Sequence, residues 1–224
     1  MLEIAREDKV AIVTLDRPEK RNALSIALRD RIDSALGELE GDPAVSVVVV
    51  LANGPVFCAG FDTAEFADRS PEHLRAVNES SDRYHRRLAE LTKPMVAGVQ
   101  GPAMGGGFDL AVLCDLRIAT PQATFAHPEI KFGAPALFGP LREIVGGGLA
   151  RELVLTGRTV TAEEALRVGL VGRLVEAAEL RQTCLAVARA IAEAPRGTLE
   201  KVKRQIVASY GGWRAESDGL FENL

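Results

Sequence analysis

Two segments of this chain set glycines and small residues directly ahead of an acid: Phe57-Cys58-Ala59-Gly60-Phe61-Asp62 and Met104-Gly105-Gly106-Gly107-Phe108-Asp109. Glycine lets backbone come close to a ligand and adopt dihedrals closed to other residues. Glycines leading into a helix leave unpaired N–H groups at its start, where the helix dipole adds partial positive charge. Such a place suits a phosphate, a carboxylate or an oxyanion formed during a reaction. Two such loops could each give one N–H to a single oxygen, which is the arrangement of an oxyanion hole. The same glycines also permit tight strand-to-helix packing with no ligand at all. Neither GxxxxGK[ST] nor GxGxxG occurs, which disfavours a phosphate loop or a dinucleotide fingerprint.

Acid–base groups lie close by. Asp109 falls just inside the helix that the glycines start, where it complements the dipole or does chemistry. Glu129, in His127-Pro128-Glu129-Ile130, is either a solvated turn carboxylate or an acid–base group, and Asp115 caps or ends a helix. His127 stands beside a proline, a setting in which a lone histidine is more often structural than catalytic. The residues alone do not pair Asp109 with Glu129. His73, His85 and His127 are not spaced as metal ligands, and Cys58, Cys114 and Cys184 form no CxxC, so neither a metal site nor a disulfide framework is expected.

These groups need a scaffold to position them. The 224 residues are 47% hydrophobic, enough for one sizeable core, and the net charge of −4 argues against a nucleic-acid partner. The longest apolar run, Ala44 to Ala52, is too short to span a membrane. The opening Glu3, Arg6, Glu7, Asp8 and Lys9 do not compose a secretory leader, so a cytoplasmic location is expected. Val10–Leu15, Ala44–Ala52, Met95–Gln100, Leu116–Ala119 and Ala123–Ala126 read as strands, the second and third as strands buried on both faces. Helices are expected from Ser25 to about Leu39, Ser70 to Leu91, Phe108 to Cys114, Phe138 to Val145, Leu149 to Leu155, Ala162 to Val168, Ala178 to Ala194 and Thr198 to Ser209. Strands alternating with helices, then helices alone, indicate an α/β core followed by a helical C-terminal part.

In order along the chain, these residues resemble the crotonase superfamily, the enoyl-CoA hydratase and isomerase group. Arg17-Pro18-Glu19-Lys20-Arg21-Asn22-Ala23-Leu24 resembles its early RP…NAL segment, and Phe57 to Asp62 its FxAGxD loop. Lys93-Pro94 through Gly101, then Gly105 to Leu110 and Cys114-Asp115, resemble its second loop and helix; Phe125 to Ile130 resembles its FxxPE segment. Leu155-Thr156-Gly157, Ala162 to Ala165 and Gly169-Leu170-Val171 resemble its C-terminal pattern. The resemblance implies a crotonase-like spiral of ββα units over residues 1–150 and a helical trimerisation region over 151–224, assembled as a trimer or dimer of trimers. It implies that the N–H groups of Cys58 and Gly106 hold the thioester oxygen, and that Asp109 and Glu129 occupy the two acid positions. It places the rest of the coenzyme A substrate near Lys20, Arg21, Ala23, Ala59, Gly60, Phe61, Asp62 and Gly105. No cofactor is implied, because coenzyme A is part of the substrate.

On that platform three functions are open: hydration of a 2-enoyl-CoA, double-bond isomerisation with Glu129 as proton shuttle, and acyl-CoA binding without catalysis. Hydratases of the group carry Glu where Asp109 stands, and aspartate reaches about 1.3–1.5 Å less. Dienoyl-CoA isomerases carry Asp there but add a second Asp eight residues after the Glu, where this chain has Leu137. Phe61, Phe66 and Phe132 either shape the acyl pocket or belong to the core. The last residues, Phe221-Glu222-Asn223-Leu224, come a few tens of residues before the usual end of the family. A more open pocket, or one closed by another subunit, is therefore expected.

Overall fold

The computed structural model describes residues 1–211. Residues 221–224, on which the expectation of an open or partner-closed pocket turned, lie outside that range. The strands are β1 (Leu2–Glu7), β2 (Val10–Leu15), β3 (Val47–Ala52), β4 (Met95–Val99), β5 (Ala103–Met104), β6 (Leu116–Ala119), β7 (Thr124–Ala126), β8 (Val160–Thr161) and β9 (Arg173–Leu174). The helices are α1 (Ile26–Gly41), α2 (Pro71–Glu90), α3 (Gly106–Leu113), α4 (Phe138–Val145), α5 (Gly147–Thr156), α6 (Ala162–Arg167), α7 (Ala177–Ala192) and α8 (Arg196–Ser209). A six-stranded sheet runs in the order β1-β2-β3-β4-β6-β9, and β5, β7 and β8 form a second, small sheet. The first hairpin is antiparallel, and from β2 onward every pair of the large sheet is parallel.

Strands β2, β3 and β4 are buried on both faces, which explains their long apolar runs. Alternation along each strand divides the core in two. Val10, Ile12, Val47, Val49, Leu51 and Val96 pack against Leu180, Cys184, Leu185 and Ala188 of α7. Ala11, Val13, Leu15, Val48, Val50 and Ala97 face the larger cluster, with Leu28, Ile32 and Leu36 of α1, Tyr84 and Leu88 of α2, and Phe108 of α3. Each fully buried Val or Leu contributes about 1.5–3 kcal/mol of transfer free energy. The sheet is therefore the rigid platform from whose strand ends the loops emerge.

The caps read from the sequence are formed. The Ser25 side chain accepts from the Leu28 N–H, and Ser70 accepts from the His73 N–H. Several bounds differ. The third strand starts at Val47 rather than Ala44, because Asp42 turns the chain there by accepting from the Ala44 N–H. Helix α3 starts at Gly106, two residues earlier than expected, because Gly105 at φ 52° already caps it. The second half is not helical alone: β8 completes the small sheet, and β9 joins the edge of the large one beside β6. Residue 150 lies within α5, and Ala150 and Leu153 share the core with Val48 and Val99.

Candidate active site

Two isolated bridges stitch the glycine loops to their surroundings. Cys58 pairs with Ala103: the Cys58 N–H donates to the Pro102 carbonyl (3.2 Å), and the Met104 N–H donates to the Cys58 carbonyl (2.9 Å). Leu24 pairs with Phe61: the Leu24 N–H donates to the Gly60 carbonyl (2.8 Å), and the Asp62 N–H to the Leu24 carbonyl (3.2 Å). Between them the chain turns at Gly60, at φ 88°, where a Cβ would lie 2.7 Å from the Met104 carbonyl oxygen. Only glycine fits that crossing.

These contacts correct one expectation. The Cys58 N–H is engaged in the bridge to Pro102, and Cys58 is fully buried, its thiol held by the Asn22 carbonyl and pushed up to about 12 by burial. Cys58 therefore does not present a donor to a ligand. In a parallel bridge the paired residue turns its own N–H away from its partner, so the Phe61 N–H points away from Leu24. Phe61 and Gly106 both line one cavity of about 340 Å³. Gly106 is the first residue of α3, so its N–H has no acceptor within the helix.

The same cavity is lined by Ala59, Gly60, Gly105, Asp109 and Glu129, with Phe66, Leu74, Phe132 and Ala134 among its apolar walls. Two other expected contact residues serve the scaffold. Asp62 pairs with Arg17 at 2.8 Å and caps the 3-10 turn Thr63–Ala67. Although burial opposes it, Arg17 and the Ala64 N–H hold the Asp62 carboxyl below its usual range. Ala23 gives its carbonyl to Arg17. Lys20 and Arg21 stand exposed on the preceding turn, beside the Arg21 carbonyl that accepts from Ala59.

Asp109 and Glu129 come together, with a histidine between them. His127 Nδ1 lies 2.7 Å from Glu129 Oε1, and His127 Nε2 lies 3.7 Å from Asp109 Oδ1. The His127 ring is buried and stacked on Phe108, with centroids 4.6 Å apart. His85 of α2 approaches from behind, its Nε2 3.5 Å from Asp109 Oδ2 and its Nδ1 3.0 Å from the Ser81 carbonyl. Glu129 Oε2, Asp109 Oδ1 and His127 Nε2 are buried with no hydrogen-bond partner in the protein. Burial pulls the His127 imidazole down, but the charge of Asp109 and the hydrogen bond and charge of Glu129 outweigh it, leaving it above its ordinary 6.5. Glu129 sits in the 3-10 turn Pro128–Phe132, and Gly105 makes room for it: a Cβ there would lie 3.1 Å from Glu129 Oε2.

Asp109, His127 and Glu129 each bring a polar side-chain atom within 4.8 Å of one another. Sequence spacing did not reveal this convergence. It also missed His85, which lies in a polar stretch of α2, and Arg29. The Arg29 guanidinium is buried, donates to the Leu24 carbonyl (2.6 Å) and sits 4.6 Å over the Phe61 ring, holding the first loop in place. The only signal for either was its place on the buried face of its helix, in step with Leu28 and Ile32 for Arg29 and with Tyr84 and Leu88 for His85.

The arrangement can bind an oxygen that gains negative charge and set carboxylates beside the reacting chain. The family described as enoyl-CoA hydratase/isomerase matches residues 5–218. A short-chain-enoyl-CoA hydratase of Clostridium acetobutylicum is 38% identical over 192 residues, 84% of this chain and 74% of that protein. The crystal structure of an enoyl-CoA hydratase from Mycobacterium tuberculosis H37Rv superposes with a TM-score of 0.83 at 34% identity, covering 99% of this chain and 97% of that one. A monofunctional enoyl-CoA isomerase from M. smegmatis superposes at 0.79 with 32% identity, covering 93% of each chain. Among the described residues no helix is long and apolar enough to cross a membrane.

Proposed function

We propose that this chain, which belongs to the enoyl-CoA hydratase/isomerase family, hydrates 2-enoyl-CoA thioesters to 3-hydroxyacyl-CoA. The observation that carries the reading is that the start of α3, Phe61 and both carboxylates line one largely apolar cavity. The thioester oxygen accepts from the N–H groups of Gly106 and Phe61. As water adds at C3, Glu129 takes a proton from it and Asp109 helps to place it. The C2=C3 electrons move toward the carbonyl, giving an enolate whose oxygen those two donors stabilise. C2 then takes the proton that Glu129 removed from the water, which returns Glu129 to its starting state. Losing one such donor typically costs about 3–4 kcal/mol in the barrier, and the positioned acid–base group contributes about 10²–10⁴-fold in rate.

In the same reading the nucleotide end of coenzyme A lies along the exposed Lys20 and Arg21, with no cofactor beyond the substrate. Residues 1–150 carry the site, and 151–224 assemble the chain as a trimer or dimer of trimers in the cytoplasm. A second reaction, double-bond isomerisation by Glu129, is favoured by Asp109 lying between His85 and His127, which draws it away from a water. Incubation with crotonyl-CoA in ¹⁸O-labelled water separates the two. Hydration gives a product one water heavier with label at C3; isomerisation gives an unlabelled product of unchanged mass.

A further inference from the structure

His127 has no part in the reaction as written above, yet both of its ring nitrogens face carboxylates. Nδ1 holds Glu129 Oε1 at 2.7 Å, and Nε2 faces Asp109 Oδ1 at 3.7 Å. That second gap is too short to admit a bridging water and too long for a hydrogen bond. Both atoms across it are buried and unpartnered, a state that is costly unless they pair. The groups that face the ring from the packed elements are Asp109 and the uncharged Phe108 from α3, Glu129 from its own turn and, beyond Asp109, His85 from α2.

We propose that His127 is a positioning residue: a doubly protonated imidazole that holds Glu129 by a hydrogen bond and faces Asp109 with its charge, fixing Glu129 Oε2 as the oxygen turned to the acyl chain. The positive charge of the imidazolium would sit between the two carboxyl groups, 2.7 Å from Glu129 Oε1 and 3.7 Å from Asp109 Oδ1. The raised affinity of His127 for its proton agrees with this state. The inference rests on Glu129 being the acid–base group of the reading above, but not on whether the product is hydrated or isomerised.

Two measurements test it. In ¹⁵N-histidine-labelled protein at neutral pH, both His127 nitrogens are expected to be protonated; a neutral ring with bare Nε2 overturns the proposal. In kinetics, His127→Asn places its amide near Nδ1 and His127→Gln places it near Nε2. The Asn variant is expected to keep kcat within about tenfold at unchanged KM. Its activity should no longer fall at alkaline pH, where the wild type loses the His127 proton. His127→Leu, with no donor, is expected to lose about a hundredfold in kcat while binding butyryl-CoA normally. A Leu variant with wild-type kcat and pH profile overturns the proposal; if it does not fold, equal activity of the Asn and Gln variants does so. Exchange of the C2 protons of butyryl-CoA in deuterated water is run alongside. It needs only Glu129 and the oxyanion donors, so it reports on His127 even if crotonyl-CoA is not hydrated.

Discussion

Glu129 Oε1 is anchored to His127 Nδ1 at 2.7 Å, while Glu129 Oε2 is buried with no protein partner. One carboxylate is thus divided between holding its place and meeting the substrate. Glu129→Gln keeps the anchoring acceptor but cannot take up a proton. We expect kcat to fall about 10²–10⁴-fold, with the affinity for butyryl-CoA, measured by calorimetry, nearly unchanged.

Gly106 gives its N–H to the cavity at the first position of α3, where a helix tolerates proline. A side chain there meets the Phe61 ring 2.5 Å away, and Arg29 over that ring limits its retreat. Gly106→Pro removes the donor, and we expect about 10²–10³-fold lower kcat with the helix content seen by circular dichroism preserved. A fully active Gly106→Pro protein contradicts the donor role.

Far from the cavity, Lys203 of α8 is buried and donates to Asp115 Oδ1 at 2.7 Å, while Asp115 Oδ2 accepts from the Met95 N–H. Lys203→Met strands the Asp115 charge, and we expect a loss of about 3–5 kcal/mol in urea unfolding. A smaller change in the Lys203→Met, Asp115→Asn double variant would identify the stranded charge as the cause.

His127 also links stability to pH. Its affinity for a proton is raised in the folded state above the ordinary 6.5. Its contribution is therefore complete below about pH 6.5 and lost as the pH rises through the folded value. The urea midpoint of the wild type should fall across that alkaline window, and the fall should be smaller in His127→Asn.

Much of this was legible in the sequence, and the failures have physical reasons. The valines of β3 and the serine caps of α1 and α2 act locally, so their pattern reveals them. Strand β1 has mostly exposed residues at a sheet edge and offers no clear alternation, so it was missed. Gly106, Asp109 and Glu129, which the resemblance assigned to the site, line one cavity. The resemblance assigned the loop donor to Cys58, because which N–H is spent depends on pairing with Pro102 and Leu24, and order along the chain does not encode those partners. His127 read as a structural histidine beside a proline; its two carboxylate neighbours come from α3 and from its own turn, and only the fold brings Asp109 to it.

The most direct test mixes the purified protein with crotonyl-CoA and follows the ultraviolet absorbance of the conjugated thioester. We predict a rapid loss of absorbance that is abolished in Glu129→Gln. An unchanged absorbance with tight crotonyl-CoA binding, or a loss that persists in Glu129→Gln, contradicts hydration through Glu129.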